Sequence, residues 1–376
     1  MLERIYHMLV KEFIQILRDP RMKGVIFLMP VVQLLVFGYA VTTDVRNIRT
    51  VVYDLDKTPS SRELLSRFAG SGYFEIIQHA DRFEQASDLL DEGEAQAVVH
   101  IQSGFESDLR AGRPAKLQII VDGTDSNTAG IALDYAGRLV TGFSEEVMIE
   151  RIQRLEGARP YQGTVALHSR AWFNENLESR NFYVPGVIAI IVMLITLMLT
   201  SMAVVREKEI GTMEQVMVTP ITSTEFILGK TVPFALIGFA DVALVTVVGV
   251  LWFGVPIRGN LLLLFGSTAL YLMTTLGIGL LISTVSQTQQ QAMMSTFFFY
   301  FPAVLLSGFM FPVANMPQVI QWFTYLNPLR YFLVIVRGIF LKGIGPATLW
   351  PQMLALAVMG VASLWFAGRR FQKTSG

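Results

Sequence analysis

Apolar runs long enough to cross a lipid bilayer recur along this chain, and no other feature limits its fold as tightly. A membrane helix needs roughly 20 apolar residues to span about 30 Å of hydrocarbon. Runs of that kind occupy residues 24–43, 184–205, 226–253, 261–284, 292–311 and 349–367. With 52% hydrophobic and 16% charged residues, the whole chain also lies outside the range of soluble domains. Six membrane-spanning helices are the expectation. The first run reads as an anchor and not a cleaved signal, because a long charged segment precedes it and no A-x-A site follows.

Charge parity supports that count. With six crossings, Arg369, Arg370 and Lys373 fall on the same side as Arg4, Lys11, Arg18, Arg21 and Lys23, together with Arg206 and Lys208. This is what the positive-inside rule requires, and it puts both termini in the cytoplasm. The stretch FPVANMPQVIQWFTYLNPLRYFLVIVRGIFLKG is apolar but broken by Pro312, Pro317 and Pro328. A seventh crossing there would carry the C-terminal basic cluster outside. Residues 312–346 are therefore expected as short re-entrant helices in the outer leaflet, buried against protein. In residues 1–23, Leu2, Ile5, Tyr6, Leu9, Phe13, Ile16 and Leu17 recur at helical spacing opposite Glu3, Arg4, Lys11, Glu12 and Arg18. That pattern predicts an amphipathic helix along the cytoplasmic interface.

Residues 44–181 have a different texture. They hold 15 basic and 22 acidic residues, a charge of −7, which leaves 15 and 8, or +7, for the rest of a formally neutral chain. Such segregation implies two environments. The β-rich runs RTVVYDLD, YFEIIQHA, AQAVVHI and KLQIIVDG alternate with helical stretches beginning near Pro59, Asp81 and Ser103. A long helix over 127–155 follows the turn-rich DGTDSNT and is expected to pack across the sheet. The chain has no cysteine, so a domain of roughly 138 residues must be held by its own core. The expected fold class is an α-helical polytopic membrane protein with an inserted extracytoplasmic α/β domain. Its parts are an interfacial helix at 1–23, span one at 24–43, the domain at 44–181, span two at 182–205, a connector at 206–220, spans three to five at 221–311, and span six with the tail at 347–376.

No catalytic centre emerges from the residues. His7, His79, His100 and His168 are scattered, so neither a metal cluster nor a nucleophile with its base can be assembled from local spacing. The string TEFILGKT at 224–231 ends like a P-loop, but it has Thr224 where the first glycine belongs and no strand before it. It is read as a coincidence, and no cofactor or nucleic acid is expected on this chain. Energy then comes from a partner or a gradient. The stretch VVREKEIGTMEQVMVTPITSTEF offers a place for a partner: after Arg206, Glu207, Lys208 and Glu209, the residues Ile210, Met213, Val216 and Met217 form an apolar stripe that Pro220 ends. From periodicity alone, two readings share the weight. One is an interfacial turn; the other is a coupling helix docked on an ATPase, with Gly211, Thr212, Met213 and Glu214 beside the charges.

The order of elements resembles an ABC-2-type permease of the bacterial drug-exporter kind. The resemblance runs through LRDPR, DGTDSNT, WFN, REKEIGTMEQVMVTPI, LLIST, LLSGFMFP and MPQVIQWFTYLNPLRYF, essentially end to end. It implies a permease subunit that is not itself an enzyme. Two such permeases, identical or closely related, would bind two ATP-binding-cassette subunits carrying ATP and magnesium. It also implies a bacterial inner membrane, a periplasmic position for 44–181, a membrane-fusion-type adaptor and an outer-membrane channel.

A few residues within the spans point to a path. Asp241 stands alone in VPFALIGFADVALVTVVGV, where a mid-bilayer carboxylate is costly and should face the bundle. Contact with a cationic substrate or a proton, and an interhelical hydrogen bond to Thr274 or Thr275, are equally open readings. Phe297, Phe298, Tyr300 and Phe301 could line an adaptable apolar pathway or pack against lipid. Gly308, Pro312, Asn327 and Pro328 are candidates for an outer gate, with Arg330 and Arg337 pairing with acidic groups of the domain or with lipid phosphate. The expected cargo is a hydrophobic or amphipathic, drug-like compound. Alternatives are a lipid-linked or polymeric substrate or sodium, a membrane sensor with an outer ligand domain, and an intramembrane enzyme.

Overall fold

The computed structural model describes residues 2–18, 20–40, 45, 47–156, 172–174, 178–211 and 222–373. Two compact units emerge: Met1–Thr42 with Arg170–Gly376, and Thr43–Ser169.

In the first unit, α1 (Leu2–Arg18) is followed by α2 (Pro20–Lys23), a π-helical turn at Gly24–Leu28 and α3 (Met29–Ala40). The wide turn has a local cause. Pro30 has no N–H for the helical ladder, and just before it the Met29 N–H reaches back to Gly24 O. Among the described residues, four helices are long and apolar enough to cross a membrane: α8 (Ser179–Ile210), α9 (Ser223–Leu251), α10 (Leu261–Val285) and α14 (Pro346–Lys373). Side-chain caps mark the starts of two of them. Thr222 and Glu225 form a reciprocal capping box on α9, and the Leu262 N–H bonds to Asn260 Oδ1 at 2.7 Å on α10.

The two remaining expected spans are shorter. Gly24–Tyr39 is an apolar helix, and α11 (Gln289–Leu305) has 17 residues. The run expected to continue to Phe311 stops at Leu306 because Gly308 takes φ +83° and Ser307 Oγ accepts the Phe309 N–H. Beyond it lie a 3₁₀ turn at Val313–Asn315, α12 (Gln318–Thr324), α13 (Pro328–Arg337) and a second π-helical turn at Gly338–Lys342.

Almost every residue of α8 from Val184 to Val205 is buried, so this helix is the axis of the bundle. Small residues let its neighbours close in. A Cβ on Gly279 would lie 2.8 Å from Thr200 Cβ, one on Gly277 2.2 Å from Ser363 Oγ, and one on Gly238 2.6 Å from Leu272. Buried hydroxyls tie the same helices: Thr196 donates to Thr275 at 3.0 Å, Thr296 to Ser201 at 2.8 Å, and Tyr271 to Ala189 O at 3.2 Å.

The second unit is a four-stranded sheet in the order β2-β1-β3-β4, with β1 (Ile48–Asp54), β2 (Phe74–His79), β3 (Ala97–Ile101) and β4 (Leu117–Val121). The β1 strand runs parallel to β2 and β3, while β4 is antiparallel to β3. Side chains alternate across β1. Ile48 and Val52 join Leu64, Phe68, Phe105, Ala136 and Phe143 from α4 (Pro59–Gly70), α6 (Phe105–Ala111) and α7 (Ser126–Glu156). Val51 faces the other side, with Ala86 of α5 (Phe83–Asp91). The long α7 thus packs on one face of the sheet. The unit is shorter than the expected 44–181: Asn174 belongs to the first unit, where its side chain bonds Glu178 O at 2.9 Å and Asn181 Nδ2 at 3.0 Å.

Candidate functional site

Three segments far apart in sequence meet where α8 ends and α9 begins. Lys230 donates to Glu12 Oε1 at 2.6 Å and to Glu207 Oε1 at 2.8 Å, and the same Glu207 oxygen accepts Lys11 at 3.2 Å. The side chains of Lys230, Glu12 and Glu207 are only 3%, 5% and 8% exposed. A buried charge is tolerated only when paired and hydrogen-bonded, and here two carboxylates share two ammonium groups. Gly229 makes the approach possible, since a Cβ there would lie 3.0 Å from Met8 of α1.

This arrangement reassigns several residues. The string TEFILGKT is helical throughout: Glu225 serves the cap, Gly229 admits α1, and Lys230 holds the corner. It forms no phosphate loop. Helix α1 does not turn its whole charged face to water either. Glu12 points inward, while Tyr6, Val10 and Ile14 are exposed. Glu12 and Lys230 were missed as site residues, and their only sequence signal was an acidic residue and a lysine, each inside a helix expected to adjoin the membrane.

Among the residues expected to couple to an ATPase, Glu207 faces the bundle and Glu209 is exposed, its Oε2 accepting Gln289 Nε2 at 2.7 Å. Arg206 is half-buried. Lys208 donates to Thr284 O at 3.2 Å. Gly211 ends α8 in the left-handed conformation, φ +81°. Thr212, Met213, Glu214 and Pro220 lie outside the described residues.

Asp241 is fully buried in α9, and neither carboxylate oxygen has a hydrogen-bond partner among the described residues. The expected bond to Thr274 or Thr275 does not form. Those hydroxyls already donate elsewhere, Thr274 to Leu270 O and Leu356 O and Thr275, which accepts Thr196, to Leu272 O. The aromatic run of α11 is divided: Tyr300 is buried and Phe297 half-buried, whereas Phe298 and Phe301 point outward.

The candidate gate residues gather more closely. Asn327 caps α13 by accepting the Leu329 N–H at 3.1 Å and donates to Ala303 O at 2.6 Å, with Pro328 in the first turn. Gly308 O accepts Arg337, and Pro312 opens the 3₁₀ turn. The two arginines have partners close by. Arg337 lies 3.6 Å over the Phe182 ring and bonds Phe182 O at 3.3 Å, while Arg330 bonds Thr324 and lies 4.2 Å over Tyr325. Rings, carbonyls and a hydroxyl of the same unit hold them, and no carboxylate lies within 4 Å of either among the described residues.

Comparison with known proteins places these features. A family model described as ABC-2 family transporter protein matches residues 24–369. The chain is 34% identical to the probable multidrug ABC transporter permease YbhR of Escherichia coli strain K12, over 96% of this chain and 98% of that protein. It is 30% identical to the inner membrane transport permease YhhJ of the same strain, over 100% and 98%. It is also 22% identical to ABC transporter G family member 20 of Dictyostelium discoideum, over 89% of this chain but only 46% of that protein. Matched along nearly its whole length by family and permeases alike, this multi-pass membrane chain belongs to the ABC-2 family of transporter proteins.

Proposed function

We propose that this chain is the membrane-spanning permease of an exporter driven by ATP hydrolysis on partner subunits, and that it moves hydrophobic or amphipathic, drug-like compounds out of the cytoplasm or the inner leaflet. As a permease subunit it is no enzyme itself. Two ATP-binding-cassette subunits carrying ATP and magnesium, and a second permease, complete the machine, with an adaptor and an outer-membrane channel beyond it. Six helical crossings are proposed: the continuous helix from Pro20 to Ala40, α8, α9, α10, α11 and α14. At 17 residues, α11 reaches about 25 Å, close to the hydrocarbon thickness. Both termini then lie in the cytoplasm and Thr43–Ser169 in the periplasm.

The observation that carries this reading is the buried corner of Lys230, Glu12 and Glu207 beside REKEIGTMEQVMVTPI. An ATPase docked on 206–220 pushes on a helix end that is fixed to α1 and α9 by three buried charges. A rigid-body movement there reaches two further helices at once. Asp241 is proposed as a contact for cationic cargo inside the bundle.

Purification of the tagged chain in mild detergent tests the reading. Recovery of an ATP-binding-cassette protein, with ATPase activity stimulated by hydrophobic cations, is expected. A lone chain indifferent to nucleotide would sink it. For the cargo contact, Asp241→Asn should keep expression and lower resistance to cationic drugs; wild-type resistance would refute that role.

A further inference from the structure

The α/β unit contains a hollow that transport through the bundle does not use. Between α4, α6, β4 and the second half of α7 lies a cavity of about 390 Å³, within the range of small-molecule sites. Its walls are largely apolar. Leu64, Phe105, Leu117, Phe143 and Val147 line it, with the Phe105 and Phe143 rings nearly parallel at 6.4 Å.

Two guanidinium groups stand at its rim, and they are not equivalent. Arg113 is neutralised by Asp108, with Nε and Nη2 at 2.9 and 2.8 Å from Oδ1. Arg151 has no carboxylate within 4 Å among the described residues; its one bond is to Ala111 O at 3.5 Å. Its guanidinium lies over Gly112, where an added Cβ would fall 1.3 Å from Nη1. Gly112 closes α6 at φ +71°, so both backbone conformation and space there favour glycine. An uncompensated cation at the mouth of an apolar hollow selects a ligand with an apolar body and an anionic end. A cationic amphiphile would meet repulsion, and a neutral one would leave the guanidinium without its charged partner.

We propose that this hollow binds a single-chain amphiphilic carboxylate, its tail between α6 and α7 and its head on Arg151. The proposal does not depend on the transport reading, because every residue involved belongs to Thr43–Ser169.

The full chain in lipid nanodiscs is irradiated with dodecanoic acid carrying a terminal diazirine, and labelled peptides are mapped by mass spectrometry. Labels are expected within residues 105–117 and 140–151, reduced several-fold by excess dodecanoate and unaffected by dodecyltrimethylammonium. Arg151→Glu and Val147→Trp should each cut the labelling several-fold, while Arg151→Lys retains most of it. Unchanged thermal unfolding of each variant shows that the unit is intact. No label in these segments, equal competition by the cation, or undiminished labelling in both disruptive variants would overturn the proposal. Competition by phosphatidylglycerol vesicles alone would overturn the single-chain assignment.

Discussion

The ammonium group of Lys230 separates two carboxylates, and its removal leaves Glu12 and Glu207 facing each other beside the half-exposed Lys11. Removing one partner of a buried ion pair costs about 3–5 kcal/mol, because the remaining charge stays buried without compensation. Lys230→Ala is therefore expected to lower the thermal stability of the purified chain sharply. Combining Lys230→Met with Glu12→Gln should cost less than the sum of the single changes, which a double-mutant cycle measures. Lys11→Ala, at an exposed partner, should cost no more than about 1 kcal/mol. Glu207 shows why such a site is hard to read from sequence. Arg206, Glu207, Lys208 and Glu209 are consecutive charges, so no period distinguishes the inward residue from the outward ones. Lys230 makes that choice from 23 residues away.

Among the elements, α10 depends on close approach to α8. Gly279 has Thr200 Cβ at 2.8 Å and Leu197 O at 3.2 Å from where its Cβ would stand, and the second of these is backbone that cannot rotate aside. Gly279→Leu should push the helices apart at a cost of roughly 1–3 kcal/mol or more, whereas Gly266→Leu, with open space around it, should be nearly neutral. Melting temperatures of the two variants in one detergent check this. Between β1 and α4, Asp56 is held by a different balance. Burial pushes its carboxyl upward, but bonds from Thr58 and from the backbone N–H groups of Glu106, Gly104 and Phe105 outweigh it and leave it below the usual range. Glu146 on α7 is likewise held low, first by its bond to Arg67 of α4.

At the scale of the molecule, these two carboxylates give the α/β unit a pH dependence. A carboxyl whose folded value is depressed stabilises the fold above its unfolded value, about 4, and that stability is lost as pH falls through the folded value. The unit Thr43–Ser169 should therefore weaken as pH drops below about 5, toward the depressed folded values of these two groups. Asp56→Asn combined with Glu146→Gln should flatten that acid limb, as followed by calorimetric unfolding of the full chain; a limb of unchanged steepness would contradict the assignment. Much of this architecture was legible beforehand. Apolar runs and β-rich runs are local, periodic signals, so the four long apolar helices, the four strands and the long α7 follow from the sequence almost in place. The end of α11 was not legible, because Gly308 and Ser307 stop the helix inside a run that remains apolar to Phe311. By itself the sequence determined membrane-length apolar helices and an α/β unit, since length, hydropathy and alternation are properties of neighbouring residues. Only the tertiary structure decided that Glu12, Glu207 and Lys230 share one buried site, that Asp241 has no partner from Thr274 or Thr275, and that Arg151 stands over an apolar hollow. Charge pairing and cavities are made between segments as much as 218 residues apart, and no local period records which segments will meet.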